Sequence, residues 1–262
     1  MPNFAANLNF FYGDLPFLER FPAAKRDGFK GVEFVEPYMC APEEVAKVTK
    51  ENGITTALFN AAIGDWSKGE RGLTVIEDRE DDFRALIDKV PAYAKALECP
   101  RVNVMAGINT NKSEAYDKTW TRLIERLRYA ADTLGKHGIT VLLEHINNFD
   151  IPGYFVRTPN EALKAIQEVD RANCMIQYDI YHAQREQGEL TAFMRENISR
   201  IGHVQIADNP GRNQPGTGEL NYKFLLDELD RLGFKGWVGF EYKPLPNAAG
   251  SLGWIKEMGY SL

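Results

Sequence analysis

Four short stretches in the second half of the chain run apolar and then reach an oxygen-donor side chain: Leu142-Leu143-Glu144, Gln177-Tyr178-Asp179, His203-Val204-Gln205 and Gly239-Phe240-Glu241. Extended backbone alternates its side chains between two faces, so Thr140 and Leu142 share a face with Glu144, Met175 and Gln177 with Asp179, His203 with Gln205, and Trp237 and Gly239 with Glu241. If one of these donors faces a common mouth, all four can. Three carboxylates and an amide brought together repel unless their charge is compensated, and a divalent cation supplies that compensation. An all-oxygen set without thiolate suits a hard divalent ion, Mg²⁺ or Mn²⁺, with positions left open for water and substrate. The expected metal ligands are therefore Glu144, Asp179, Gln205 and Glu241. An ion so flanked suits proton abstraction beside a carbonyl: it can bind both oxygens of an enediolate while a carboxylate on each side moves protons between two carbons. Glu144 and Glu241, across the mouth from one another, are the expected base and acid.

His182 follows Asp179 by three residues and is expected to hydrogen-bond a substrate oxygen. His203 should point into the barrel as a buried hydrogen-bonder, and His145, next to Glu144, should point away in a structural role. Two loops offer cations for a substrate anion. Residues 209–219, rich in Gly and Pro, present Arg212, whose fork can hold a carboxylate by two contacts. Residues 64–72 form a longer loop that brings Lys68 and Arg71 near the mouth as a lid.

These residues need elements to hold them. Short apolar runs at 5–10, 31–35, 54–59, 101–105, 139–144, 174–179, 201–206 and 237–241 read as strands. Helical periodicity fills 15–26, 42–52, 74–97, 114–136, 159–169, 189–198, 221–232 and 250–258, with Thr158-Pro159-Asn160-Glu161 as a helix start and Arg231-Leu232-Gly233 as a helix stop. Strict alternation implies parallel strands with right-handed crossovers, and eight such units imply a closed (β/α)₈ TIM barrel. No linker or shift of composition divides the chain, so residues 1–262 are expected to form a single domain. In such a barrel the loops at the C-terminal ends of the strands form the active face, where the four donors lie.

Composition excludes other classes. With 31 Lys and Arg against 37 Asp and Glu, the net charge is −6, which works against nucleic acid as a partner. No apolar run is long enough to span a membrane, the N-terminus lacks a leader pattern, and the three cysteines show no metal or disulfide spacing. We expect a cytoplasmic protein acting on a small molecule, with a homo-oligomer possible.

The set Glu144, Asp179-x-x-His182, His203-Val204-Gln205, Pro215-Gly216-Thr217-Gly218-Glu219 and Phe240-Glu241-Tyr242 resembles the xylose-isomerase-like barrel superfamily, and closely its hydroxypyruvate isomerase family. The resemblance runs nearly the whole chain, from Asn7-Leu8-Asn9-Phe10-Phe11 and Gly31-Val32-Glu33 through Gly69-Glu70-Arg71-Gly72 to the eighth strand. It implies interconversion of hydroxypyruvate and tartronate semialdehyde, or of a similar 2-oxo acid such as 2-oxotetronate and its isomer, with glutamates at 144 and 241 as the acid/base pair. Ketose 3-epimerases of the superfamily usually offer a histidine where this chain has Gln205, which weakens that alternative. A metal-independent glycosidase also uses two carboxylates across a mouth; Asp179 and Gln205 crowding the same site count against it. A Schiff-base aldolase needs a strand-end lysine, and only Lys243 lies near.

Overall fold

The computed structural model describes residues 2–111 and 113–262. Eight parallel strands follow one another around a closed barrel: β1 (Asn3–Asn7), β2 (Gly31–Phe34), β3 (Thr55–Ala61), β4 (Arg101–Val104), β5 (Thr140–Glu144), β6 (Cys174–Asp179), β7 (Ile201–Ile206) and β8 (Trp237–Phe240), with β8 paired back to β1. The helices are α1 (Leu8–Phe11), α2 (Arg20–Arg26), α3 (Pro42–Asn52), α4 (Glu80–Ala96), α5 (Tyr116–Gly135), α6 (Pro159–Val169), α7 (Ile180–Glu186), α8 (Leu190–Asn197), α9 (Tyr222–Arg231) and α10 (Gly253–Glu257). This is the (β/α)₈ barrel that the alternation of periods implied. No helix among the described residues is long and apolar enough to cross a membrane.

The outer layer forms for ordinary reasons. On α5, Leu123, Leu127, Ala130, Ala131 and Leu134 recur at three- and four-residue spacing and are buried against the barrel. Each such leucine contributes roughly 2 kcal/mol by leaving water. At the start of α6 the Thr158 hydroxyl accepts the Glu161 backbone N–H at 3.1 Å, while the Glu161 carboxylate accepts the Thr158 N–H at 3.2 Å. That reciprocal cap begins the helix where the sequence signal stood.

Several boundaries differ from the sequence reading, three of them for a clear local reason. The first strand stops at Asn7 and does not continue to residue 10, because the Asn7 side chain accepts the Asn9 N–H at 3.1 Å and turns the chain into α1. The helix expected from residue 74 starts at Glu80, after a 3₁₀ turn at Glu77–Arg79. Arg126 holds the preceding segment out of the helix, its guanidinium donating to the carbonyls of Leu73 at 2.6 Å and Ile76 at 2.7 Å. A short helix, α7, begins immediately after β6, capped by Asp179, whose Oδ1 accepts the His182 N–H at 3.0 Å.

Towards its C-terminal mouth the barrel interior is polar. Glu33 on β2 and His203 on β7 are not neighbouring strands' residues, yet their side chains meet at 2.6 Å, so both point across the interior. Gly239 on β8 makes room for them: a Cβ there would lie 2.0 Å from Glu33 Oε2.

Candidate active site

Glu144 ends β5, Asp179 ends β6, His182 sits in the first turn of α7, and Glu241 lies one residue beyond β8. One ligand-capable atom from each of the four lies within 4.8 Å of the others. Glu144, Asp179 and His182 are fully buried, and Glu241 is partly so. Asn103 on β4 donates to Glu144 Oε2 at 2.8 Å, and Arg212, from the loop after β7, donates to Glu241 Oε1 at 2.6 Å.

Charge in the cluster is under-compensated. Burial, followed by the charges of Glu241 and Asp179, pushes the Glu144 carboxyl well above its ordinary range. Burial raises Glu241 to about 8 against the opposing pull of Arg212, and Asp179 to about 6 against the same pull. His182 is driven the other way, well below the usual imidazole range, by burial and then by Arg212, and so is neutral. Three carboxylates less one guanidinium leave two negative charges to be met by protons or a cation. Asp179 Oδ2 is buried without a hydrogen-bond partner. This donor set, rich in unpaired carboxylate oxygen, fits a hard divalent cation.

The expected fourth oxygen donor is turned. Gln205 directs its amide nitrogen at Glu33 Oε1, 2.7 Å away, and at Glu241 Oε2, while its own Oε1 accepts from Gln177 Nε2 at 2.6 Å. His182, which the sequence had assigned to substrate, also brings a ring nitrogen beside the three carboxylates. Below Gln205, Glu33 is held by Asn7 at 2.9 Å and by His203 at 2.6 Å, which gives His203 the buried hydrogen bond expected of it. His145 points away from the cluster: both ring nitrogens are buried without partners, its ring meets the edge of Tyr178, and burial pushes it down to about 3.

A cavity of about 1180 Å³ opens over the cluster. Of the three loop cations expected around it, Arg212 and Arg71 line the wall. Arg212 bridges the mouth, meeting Glu241 on one side and Asp150 Oδ2, at 3.1 Å, on the other. Arg71 stacks over Trp66 at 4.3 Å and donates to the backbone carbonyls of Trp66 and Glu70. Lys68 is exposed and pairs with Asp65 at 3.3 Å, outside the cavity wall.

Sequence reasoning assigned no role to Glu33, Asn7, Asn103, Asn147 or Asp150. Two signals were present: Glu33 is an acid inside the apolar run Gly31-Val32-Glu33-Phe34, and Asn103 interrupts Val102 and Val104. A buried strand accepts a polar side chain only when a partner awaits it. Asn147 and Asp150 lie in a loop, where no period marks them.

The model for xylose isomerase-like TIM barrels matches residues 21–258. The chain is 43% identical over 256 residues to the 2-oxo-tetronate isomerase of Cupriavidus necator, covering 98% of each. It is 44% identical to the hydroxypyruvate isomerase of Escherichia coli, covering 97% of this chain and 98% of the relative. Among solved structures, a Brucella melitensis protein described as AP endonuclease, family 2, is 42% identical, superposes with a TM-score of 0.94, and is covered over 98% of this chain and 99% of its own.

Proposed function

The chain belongs to the xylose isomerase-like TIM barrel family and is an isomerase, and we propose that its substrate is a small 2-oxo acid: hydroxypyruvate, interconverted with tartronate semialdehyde, or a four-carbon analogue such as 2-oxotetronate. The names of the relatives from Cupriavidus necator and Escherichia coli support that substrate class. The observation that carries the reaction type is the pair of glutamates, Glu144 and Glu241, gathered with Asp179 around one small space. Two carboxyls set at the ends of different strands around one substrate can take a proton from one carbon and return it to the next.

Glu144, Asp179 and Glu241 would hold a divalent cation, Mg²⁺ or Mn²⁺, with Gln205 joining them through its amide oxygen. When bound, the cation supplies Lewis-acid polarisation of the substrate oxygens and offsets the charge of the enediolate. The ionised glutamate takes the proton from the hydroxylated carbon, the hydroxyl proton passes across the enediolate to the former carbonyl oxygen, and the protonated glutamate delivers a proton to the former carbonyl carbon. His182 hydrogen-bonds the oxygen on which charge develops. Arg212, and Arg71 from the loop after β3, hold the substrate carboxylate. The net charge of −6 works against the phosphodiester substrate that the Brucella protein's description suggests.

The test is proton NMR in D₂O with three- and four-carbon 2-oxo acids and free ketoses, with Mg²⁺ or Mn²⁺ and with chelator. Deuterium should enter the carbon adjoining the carbonyl of a 2-oxo acid. No exchange into any of these acids with metal supplied refutes the reaction.

A further inference from the structure

A neutral imidazole carries one proton on two nitrogens, and the nitrogen that carries it decides whether the ring donates to a substrate oxygen or ligates a cation. In His182 this choice is made by a residue of the loop after β5. Asn147 brings two donors to His182 Nδ1, its side-chain Nδ2 at 2.5 Å and its backbone N–H at 3.4 Å. Both residues are buried, Asn147 at 0% and His182 at 1% exposure, so water offers no substitute partner.

The direction of the Asn147 amide is itself determined. Its Oδ1 accepts the backbone N–H of Phe149 at 3.0 Å and that of Asp150 at 2.8 Å. Turning the amide over would set its NH₂ against two further donors and lose both bonds. Nδ2 is therefore the end that meets the ring, and Nδ1 must accept. The ring proton then lies on Nε2, which faces Asp179 Oδ2 at 3.7 Å. Arg212 Nη2 also stands 3.4 Å from Nε2, a contact that suits the opposite tautomer. The shorter Asn147 contact, joined by a second donor from the same residue, decides against it.

We propose that Asn147 is a positioning residue for the isomerisation: it locks His182 as the Nε2–H tautomer, so that the ring acts as a neutral donor to a substrate oxygen and stays outside the coordination of a cation, although its nitrogen lies within the carboxylate cluster. The role at substrate rests on the reaction proposed above; the tautomer does not. The same Asx turn connects the lock to substrate binding, because Asp150, whose N–H it fixes, grips both Arg212 and Arg185.

The experiment uses the full chain labelled with ¹⁵N-histidine, whose four histidines keep the spectrum assignable. Two-bond ¹H–¹⁵N correlation at mildly alkaline pH should report a protonated Nε2 and an unprotonated Nδ1 for His182, without metal and unchanged with Mg²⁺. Asn147→Asp keeps an oxygen for the Phe149 and Asp150 amides but puts an acceptor against Nδ1. The proton should move to Nδ1, and kcat should fall about 100-fold with KM changed less than about threefold, the pattern of a donor lost in the transition state. Asn147→Ser, whose hydroxyl can take the turn's N–H groups, provides a second reading: mixed tautomers and about a tenfold loss of kcat, the usual size of an outer-shell effect. A protonated Nδ1 in a wild-type enzyme that turns over refutes the lock and leaves the reaction standing. Wild-type kcat in Asn147→Asp refutes it equally. A protonated Nε2 in a protein without turnover supports the lock and refutes the reaction.

Discussion

With no cation bound, the charge balance at the mouth of the barrel is met by protons, and stability must therefore decline with rising pH. Glu241 is the group to follow: burial places its folded-state pKa at about 8 against an ordinary 4.5. Above pH 4.5 the unfolded chain has lost this proton while the folded protein keeps it, so stability falls by about 1.4 kcal/mol per pH unit until the pH passes the folded value. His145 and His182 are lowered and act in the opposite sense, gaining stability with pH, but only up to the unfolded histidine value of 6.5. The window from about pH 6.5 to 9 removes the histidines and leaves the carboxylates, joined towards its upper end by the Cys99 and Cys174 thiols, which burial raises and which act in the same direction; integrating over it gives a loss of roughly 2 kcal/mol from Glu241 alone. Glu144 is raised by burial and by Glu241, and adds in the same direction. For a chain of this size the loss corresponds to a fall in Tm of roughly 5 °C. Thermal unfolding of the chelated protein across that window should trace this decline, Mg²⁺ or Mn²⁺ should flatten it, and Glu241→Gln should make it shallower without metal. A Tm that stays constant or rises with pH in the chelated protein refutes the charge accounting.

Replacing either glutamate by glutamine, Glu144→Gln or Glu241→Gln, should lower kcat by about a thousandfold, within the range for loss of a general acid or base, while circular dichroism shows a folded protein. Gly239→Ala would set a methyl 2.0 Å from a carboxylate held by Asn7, His203 and Gln205, and should cost about 3 kcal/mol in denaturant unfolding, as breaking a buried pair does. Gly253→Ala, at a helix start whose nearest neighbour would be Glu257 Oε1 at 3.7 Å, should be neutral or mildly stabilising. Arg71→Ala should raise KM for the 2-oxo acid about tenfold, the worth of one charge-assisted contact, whereas Lys68→Ala should leave KM within about twofold because that side chain is exposed and tied to Asp65.

Much of the barrel was legible because its signals are local. A strand of alternating faces and a helix of 3.6-residue period are written over consecutive residues, so eight repeats of the pair could be counted without knowing what touches what. The same locality made Glu144, Asp179 and Glu241 visible, since each is marked by standing at the end of its own apolar run. Boundaries were lost where one side chain outweighed the period. Asn7 ends β1 by capping α1, and Arg126 holds residues 73–76 in a non-helical turn from a helix fifty residues away in sequence.

The partnerships that set the chemistry were decided by barrel closure. Glu33 meets His203 across 170 residues, and Asn7 meets Glu241 across 234. No periodicity of either segment encodes these contacts, because they exist only once β8 has paired with β1 and the interior has become a shared volume. The same is true of the Gln205 amide, which turns its nitrogen toward two carboxylates, and of His182, whose tautomer depends on an Asx turn 35 residues upstream. Sequence determined which chemical groups stand at the mouth of the barrel. Which atom of each faces inward, and in what state of protonation, follows from burial and hydrogen bonding, and these are properties of the closed fold.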